Sequence, residues 1–233
     1  MYSHFLKRVF DFLFSFMMII ILSPVIFVLM VLGAIFLKGN PFFVQLRPGK
    51  KGKDGKERMF NLIKFRTMSN KKDENGDLLP DNQRLGGYGK FLRSTSLDEL
   101  PELFNIFVGQ LAFIGPRPQL IRDVVFMNEE QRHRHDVRPG LSGLAQVSGR
   151  NNIIWERKLE LDLEYVKKIT FWRDVKIFFM TIGKVLKRSD VVREGTVSDM
   201  DFGDWLLMND DITEKEYKEK QLEAKEILKN GKI

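Results

Sequence analysis

The sequence predicts a mainly α-helical α+β protein with one small β-hairpin and an N-terminal membrane segment. Three observations lead there. Phe12 to Leu37 is a run of 26 residues without a charge, interrupted in its middle by Ser23-Pro24. Two short strand-like runs, Phe42–Leu46 and Arg58–Phe65, flank a glycine-rich connection. Helical patterns dominate the remainder.

Composition narrows the possibilities. The 233 residues are 43% hydrophobic and 30% charged, so the chain is not broadly disordered. It has no cysteine, which excludes disulfides, thiolate zinc sites and cysteine nucleophiles. The net charge of +7, from 38 basic and 31 acidic residues, is too mild for a nucleic-acid coat.

The apolar run, as a straight helix, measures about 39 Å. It covers a hydrocarbon core of ~30 Å with tilt. It is also far longer than the ~7–15 residues of a signal-peptide core. Proline removes a backbone donor and kinks or breaks a helix. The halves Phe12–Leu22 and Val25–Leu37 would each be too short to cross, at about 17 and 20 Å. Lys7 and Arg8 precede the run, and Lys38, Arg47, Lys50, Lys51 and Lys53 follow it. Basic residues favour the cytoplasmic side, so two basic flanks suit a hairpin that enters and leaves by one face. A kinked spanning helix satisfies the same signals, because membrane helices tolerate proline.

Residues 38–66 hold nine basic and two acidic residues, a local charge equal to that of the whole chain. The connection Arg47–Gly55 between the strands is expected to be a solvated turn, or to touch anionic headgroups at ~1 kcal/mol per basic residue. Ser69–Gly87 reads as a polar loop. Ser96-Leu97-Asp98-Glu99 has the form of a capping box opening a helix to Val108, with Pro101 in its first turn. Gln119–His135 and Trp155–Ile169 are expected as amphipathic helices, and His133 and His135 as a solvated helix end. Phe171–Arg188 carries an aromatic stripe for which the core is the favoured destination and the membrane surface the other. Residues 196–233 hold ten acidic and six basic residues; Thr213–Glu216 caps a charged helix with a thin apolar face, expected to be peripheral.

No nucleophile elbow, zincin motif, Walker loop or Rossmann fingerprint is present. What remains is an acidic pair, Asp98-Glu99, and cations in segments punctuated by Gly and Pro. Acids in a first helical turn are ordinarily explained by the macrodipole, and Glu99 by the capping box. The same place also attracts phosphate and holds a carboxylate ionised, ready to act as a nucleophile or magnesium ligand. Arg117 and Arg138 sit against prolines and Arg150 follows a glycine. Surface ion pairs explain most such cations, yet rigid backbones there would hold guanidinium groups in place, and arginine suits bidentate phosphate recognition.

The ordered segments Lys64–Met68, Thr95–Pro101, Gly115–Pro118 and Arg138–Arg150, the last including Ala145-Gln146-Val147, resemble the bacterial sugar transferases. These are monotopic phosphoglycosyl transferases that start lipid-linked glycan assembly. The likeness runs from about Phe5 to Gly203 and has the look of the minimal form, without extra N-terminal membrane helices. It implies transfer of sugar-1-phosphate from a UDP-sugar to polyprenyl (undecaprenyl) phosphate, releasing UMP. Asp98 would be the nucleophile that forms a phosphosugar intermediate, Glu99 its partner acid, and Mg2+ the cofactor with Asp98 as ligand. Lys64, Arg93 and Arg117 fall on positions near the phosphates; Arg138, Gln146 and Arg150 fall in later blocks assigned to nucleotide or phosphate contact. Ser23-Pro24 matches the break of a re-entrant helix.

The expected arrangement is then a monotopic protein. Residues 1–38 form the membrane hairpin, 39–200 the catalytic domain and 201–233 the charged tail. The domain and both termini lie on the cytoplasmic side of the bacterial inner membrane, with lipids as partners and no nucleic acid. The likeness leaves the donor sugar, the pathway and the oligomeric state open. The Asp199–Gly203 stretch follows the family pattern only loosely. Two other classes fit the residues less well: a membrane-anchored adaptor binding lipid or nucleic acid, and a glycosyltransferase that releases UDP.

Overall fold

Thirty-one consecutive residues, Lys7–Leu37, form α1, entered through a π-helical turn at Tyr2–Leu6. The computed structural model describes residues 2–149, 153–187 and 200–231. α1 passes through Pro24 as one element rather than as two separate helices. In a regular helix the Ile20 carbonyl would accept from the N–H of residue 24, which proline lacks. The Ser23 hydroxyl donates to that carbonyl instead, at 2.8 Å. The Ser-Pro pair therefore removes a backbone bond and replaces it from a side chain.

One side of α1 is apolar and exposed, with Phe16, Ile20, Ile21, Phe27, Ile35 and Phe36 outward. The other side is attached along its length to the globular body. Lys7 pairs with Asp174. Arg8 donates to the Ile106 and Phe107 carbonyls at 2.8 and 2.6 Å. Asp11 accepts from the Phe113 amide at 3.1 Å. Further on, Ile26 and Leu29 are buried in a cluster with Phe65 and Leu92, and the Tyr88 hydroxyl donates to the Leu29 carbonyl at 2.8 Å. Gly33 belongs to this contact. A Cβ there would lie 2.9 Å from the Tyr88 oxygen and from the Pro41 side chain.

The hairpin is antiparallel, β1 (Phe42–Lys51) against β2 (Glu57–Phe65). β1 runs five residues further than the sequence predicts. Arg47 and Pro48 pair with Phe60 and Met59, and only then does the register slip. The turn itself is Gly52–Lys56, with Gly55 at φ +75°.

After the short helix α2 (Asp81–Arg84), α3 spans Gly87–Thr95. Here the expected helix from Ser96 is corrected. Ser96 closes α3 in the left-handed region at φ 56°, and its N–H bonds back to the Arg93 carbonyl. Leu97–Glu99 is a single 3-10 turn, and α4 (Glu102–Val108) starts only after Pro101. No side-chain cap forms at Ser96, so the capping box is absent. Its would-be partner Glu99 instead faces two cations, a stronger attraction than one amide.

β3 (Ala112–Ile114) pairs in parallel with β4 (Gly140–Ser142), a contact with no short-range sequence signal. Gly140 makes it possible: a Cβ there would fall 2.1 Å from the Gly115 nitrogen.

The predicted helix Gln119–His135 is instead the short α5 (Ile121–Val124) and a 3-10 stretch, Gln131–Asp136. His133 is exposed, but His135 is buried beside Glu57 rather than solvated. α6 (Leu144–Ser148) and α7 (Trp155–Lys167) follow. α8 (Phe171–Lys187) buries Ile177, yet Trp172 is 76% and Leu186 78% exposed. The stripe is thus only partly core. Its exposed side adjoins α1, where Phe171 meets Tyr2 and Phe10 at 5.7 and 5.8 Å between ring centres.

The acidic tail is docked rather than peripheral. In α9 (Phe202–Met208), Phe202 packs with Trp155, and its amide donates to Asp123 at 2.9 Å. α10 (Glu214–Asn230) opens with the predicted Thr213–Glu216 capping box and buries Ala224 and Ile227 against Ile121 and Val125.

Candidate active site

The turn Leu97–Glu99 is pinned by its apolar neighbours. Leu97 and Leu100 pack in the cluster formed by Ile26, Leu29, Phe65 and Leu92, so α1 lies directly beneath the turn. Opposite, buried Asn105 ties α4 to β2. It accepts from the Ile63 amide at 3.1 Å and donates to the Asn61 carbonyl at 2.7 Å. That fixes Lys64, near the end of β2, across from both Glu99 and Glu102.

Lys64 Nζ stands 2.8 Å from Glu99 Oε1 and 3.0 Å from Glu102 Oε1. Arg117 Nη2 reaches the same Glu99 oxygen at 3.2 Å. Two arginines, one buried and one half-buried, hold the backbone that carries Arg117. Arg134 donates to its carbonyl at 2.7 Å, and Arg47 to the Pro118 carbonyl at 2.9 Å. Arg93, on α3, donates to Thr67 at 3.1 Å and lies close enough to act on Asp98 electrostatically.

Three acids and these cations settle into different protonation states. Burial alone would raise Glu99, but the charges and hydrogen bonds of Lys64 and Arg117 overcome it and bring the carboxyl down to about 2. Burial and the Glu99 charge push Asp98 up to about 6. Burial likewise pushes Glu102 up to about 7, against the pull of Lys64. Lys64 is held charged: Glu99 and Glu102 outweigh the burial that opposes it.

Asp98 differs from both glutamates. Among the described residues it makes no hydrogen bond or ion pair, and it is half-buried. A magnesium ion typically takes one or two carboxylates and completes its shell with substrate phosphates and water. A single unengaged carboxylate fits that demand, with Glu99 and Glu102 already held by cations.

The structure therefore gathers Lys64, Arg93, Asp98, Glu99 and Arg117 in one place. Arg138 is elsewhere. It donates to the Gly109 carbonyl at 2.8 Å, at the far end of α4 from Glu102. Gln146, in α6, donates weakly to Leu141 at 3.3 Å, while its buried Oε1 has no partner. Arg150 lies outside the described residues. Ser23 and Pro24 are in α1, flanked by Leu22 and Ile26 of the clusters under the turn. The sequence reading missed Glu102, Arg47 and Arg134. Glu102 had one usable signal, its spacing of four from Asp98; the two arginines had none.

The cation-rich acidic turn thus rests on a helix long and apolar enough to cross a membrane, as in a membrane-associated protein. Residues 2–188 match the bacterial sugar transferase family, and the chain belongs to it. It is 44% identical over 183 residues to the uncharacterized sugar transferase EpsL of Bacillus subtilis, covering 78% of this chain and 87% of that protein. It is 37% identical over 194 residues to the UDP-glucose:undecaprenyl-phosphate glucose-1-phosphate transferase of Klebsiella pneumoniae, over 76% of this chain. It is 35% identical over 210 residues to the undecaprenyl-phosphate galactose phosphotransferase of Salmonella typhimurium, over 80% of this chain. The chain spans only 39% and 41% of these last two relatives.

Proposed function

We propose that this chain transfers sugar-1-phosphate from a UDP-sugar to undecaprenyl phosphate, releasing UMP, through a phosphosugar ester of Asp98. The observation that carries the reading is that, among the described residues, Asp98 is the acid of the cluster with no hydrogen bond or ion pair, beside cations able to hold phosphates. A carboxylate oxygen of Asp98 attacks the phosphorus bound to the sugar. The bond from that phosphorus to the UMP oxygen breaks, and its electron pair leaves with UMP. An oxygen of the polyprenyl phosphate then attacks the same phosphorus, and Asp98 departs as a carboxylate. One diphosphate replaces another, so no ATP is required, and one nucleophile serves two substrates that need not meet.

Arg117, Lys64 and Arg93 neutralise charge on the phosphates, and the two carbonyl contacts from Arg134 and Arg47 keep Arg117 in position. Glu99, held ionised, keeps the two cations beside Asp98. Mg2+ held by Asp98 and the phosphates would supply further charge neutralisation at the transferring group.

We further propose that α1 is re-entrant and the domain sits at the cytoplasmic face of the inner membrane. Support comes from the attachment of both ends of α1 to the same globular body, at Asp174 and at Tyr88. A crossing helix would separate its ends by a hydrocarbon core of ~30 Å, drawing these polar partners with it. The exposed aromatic side of α8 continues the apolar side of α1 and would meet the same interface.

The test is a screen of UDP-sugars against undecaprenyl phosphate with UMP as the readout. UDP-glucose and UDP-galactose come first, since both sugars occur in the relatives' names. UDP as product would instead make this a glycosyltransferase, and no nucleotide release from any donor an adaptor. For topology, cysteines placed at Ser3 and Asn40 should both resist an impermeant thiol reagent added outside intact cells. Labelling at either position sinks the re-entrant reading.

A further inference from the structure

Lys64 serves two acids, and they are not equally supported. Glu99 has a second cation, Arg117, on the oxygen that Lys64 contacts. Glu102 is 2% exposed and has only Lys64 within ion-pair distance among the described residues. The charged groups that act on it are Lys64 from β2, Glu99 from the preceding turn, Arg117 from the segment after β3, and Arg47 from β1. A phosphate arriving beside Asp98 draws on the same cations. Lys64 cannot then fully neutralise the phosphate, Glu99 and Glu102 together. The acid with one cation and no solvent gives way first, because a buried carboxylate that loses its partner takes a proton rather than remain charged.

We propose that Glu102 is a proton-exchanging counter-ion of Lys64: a carboxylate while it alone shares Lys64 with Glu99, and a carboxylic acid once a substrate phosphate claims that lysine. This rests on the phosphate chemistry proposed above. One proton passes from solvent to a Glu102 oxygen as the phosphate binds and returns to solvent as it leaves; no other bond changes. Glu102 is thus a positioning residue. It keeps Lys64 in place between turnovers and yields it without leaving a buried negative charge. Its carboxyl is already displaced to about 7 by burial and the Glu99 charge, so a modest change at Lys64 suffices at neutral pH. The sign follows: the bound state holds more protons, so nucleotide affinity falls as pH rises above 7.

The experiment is calorimetric titration of the full-length protein with UMP at pH 7.5, at fixed magnesium, in two buffers of different protonation enthalpy. The nucleotide phosphate is already doubly ionised there. Wild type should take up about half a proton or more per UMP. Glu102→Gln, of the same shape, should still bind UMP and take up none. A purely structural role for Glu102 would leave the proton count unchanged. Binding without proton uptake by the wild type, or equal uptake by the variant, overturns the inference while leaving the proposed reaction standing. No UMP binding by the wild type overturns the proposed reaction itself. Should Glu102→Gln fail to fold, wild-type UMP affinity must still weaken between pH 7 and 9, and a flat profile there is equally fatal.

Discussion

Arg134 and Lys64 are both cations withdrawn from water and facing carboxylates, yet their partners are distributed differently. Arg134 is 1% exposed and spends its guanidinium on one acid. Its Nε and Nη2 reach Asp162 Oδ2 at 3.1 and 2.6 Å, and Nη2 also serves the Arg117 carbonyl. Both hydrogen bonds to Asp162 come from this one buried cation. Lys64 stands between two glutamates, a third acid stands nearby with no ion pair among the described residues, and Arg117 remains exposed. Charges here are contested rather than matched, and the three carboxyls are pushed to about 2, 6 and 7. Divergent protonation among neighbouring acids is what the proposed chemistry at Asp98 requires, whereas a closed pair supplies rigidity. The two are joined, since the closed pair holds the backbone of Arg117 for the contested one.

The largest expected effect separates them by rate. Asp98→Asn keeps shape and removes the attacking oxygen's charge, so UMP release should fall by ~10³-fold or more with an unchanged melting temperature. Near-normal turnover would reduce Asp98 to an ordinary turn residue. Next come the two cations exchanged for methionine. Arg134→Met strands buried Asp162 and should cost about 3–5 kcal/mol of stability. Lys64→Met should cost less, because Glu102 readily takes a proton, while lowering UMP release by ~10²–10³-fold. Equal stability losses would erase the distinction between the clusters.

The pH profile sharpens the same contrast more gently. With Asp98 at about 6, its ionised fraction is ~90% at pH 7 and ~10% at pH 5. UMP release with donor alone should therefore fall about tenfold between those values, a loss restored on returning to pH 7. An acid limb near pH 4 would mean that Asp98 is not displaced. The smallest change lies outside both clusters. Thr213→Ala removes the α10 capping box and should lower stability by ~1 kcal/mol without altering UMP release per folded molecule. A matching fall in turnover would show that the docked tail reaches the site.

Much of the local structure was legible from residue order alone. The uncharged run with Ser23-Pro24, the hairpin from Phe42 to Phe65, the Thr213 cap and the acidic pair each follow from local rules of hydropathy, turn formation and charge. Asp98, Glu99, Lys64, Arg93 and Arg117 were identifiable as types in punctuated segments. Their partnership was not, because Lys64 and Glu99 are 35 positions apart and meet only when β2 is stapled to α4 by Asn105.

Local rules also misled at Ser96. A capping box lowers energy by ~1 kcal/mol. Charge-assisted bonds from Lys64 and Arg117 to Glu99 outweigh it, and the backbone turns left-handed to allow them. The same holds for the tail, whose thin apolar face could not announce the partner it finds in Ile121 and Val125. By itself the sequence determined which segments are apolar, which turn and which residues carry charge, since these depend on neighbours along the chain. Only the tertiary structure decided which acid is paired, which shares its cation and which is left open, because a carboxyl's protonation is set by burial and by charges that arrive from distant strands.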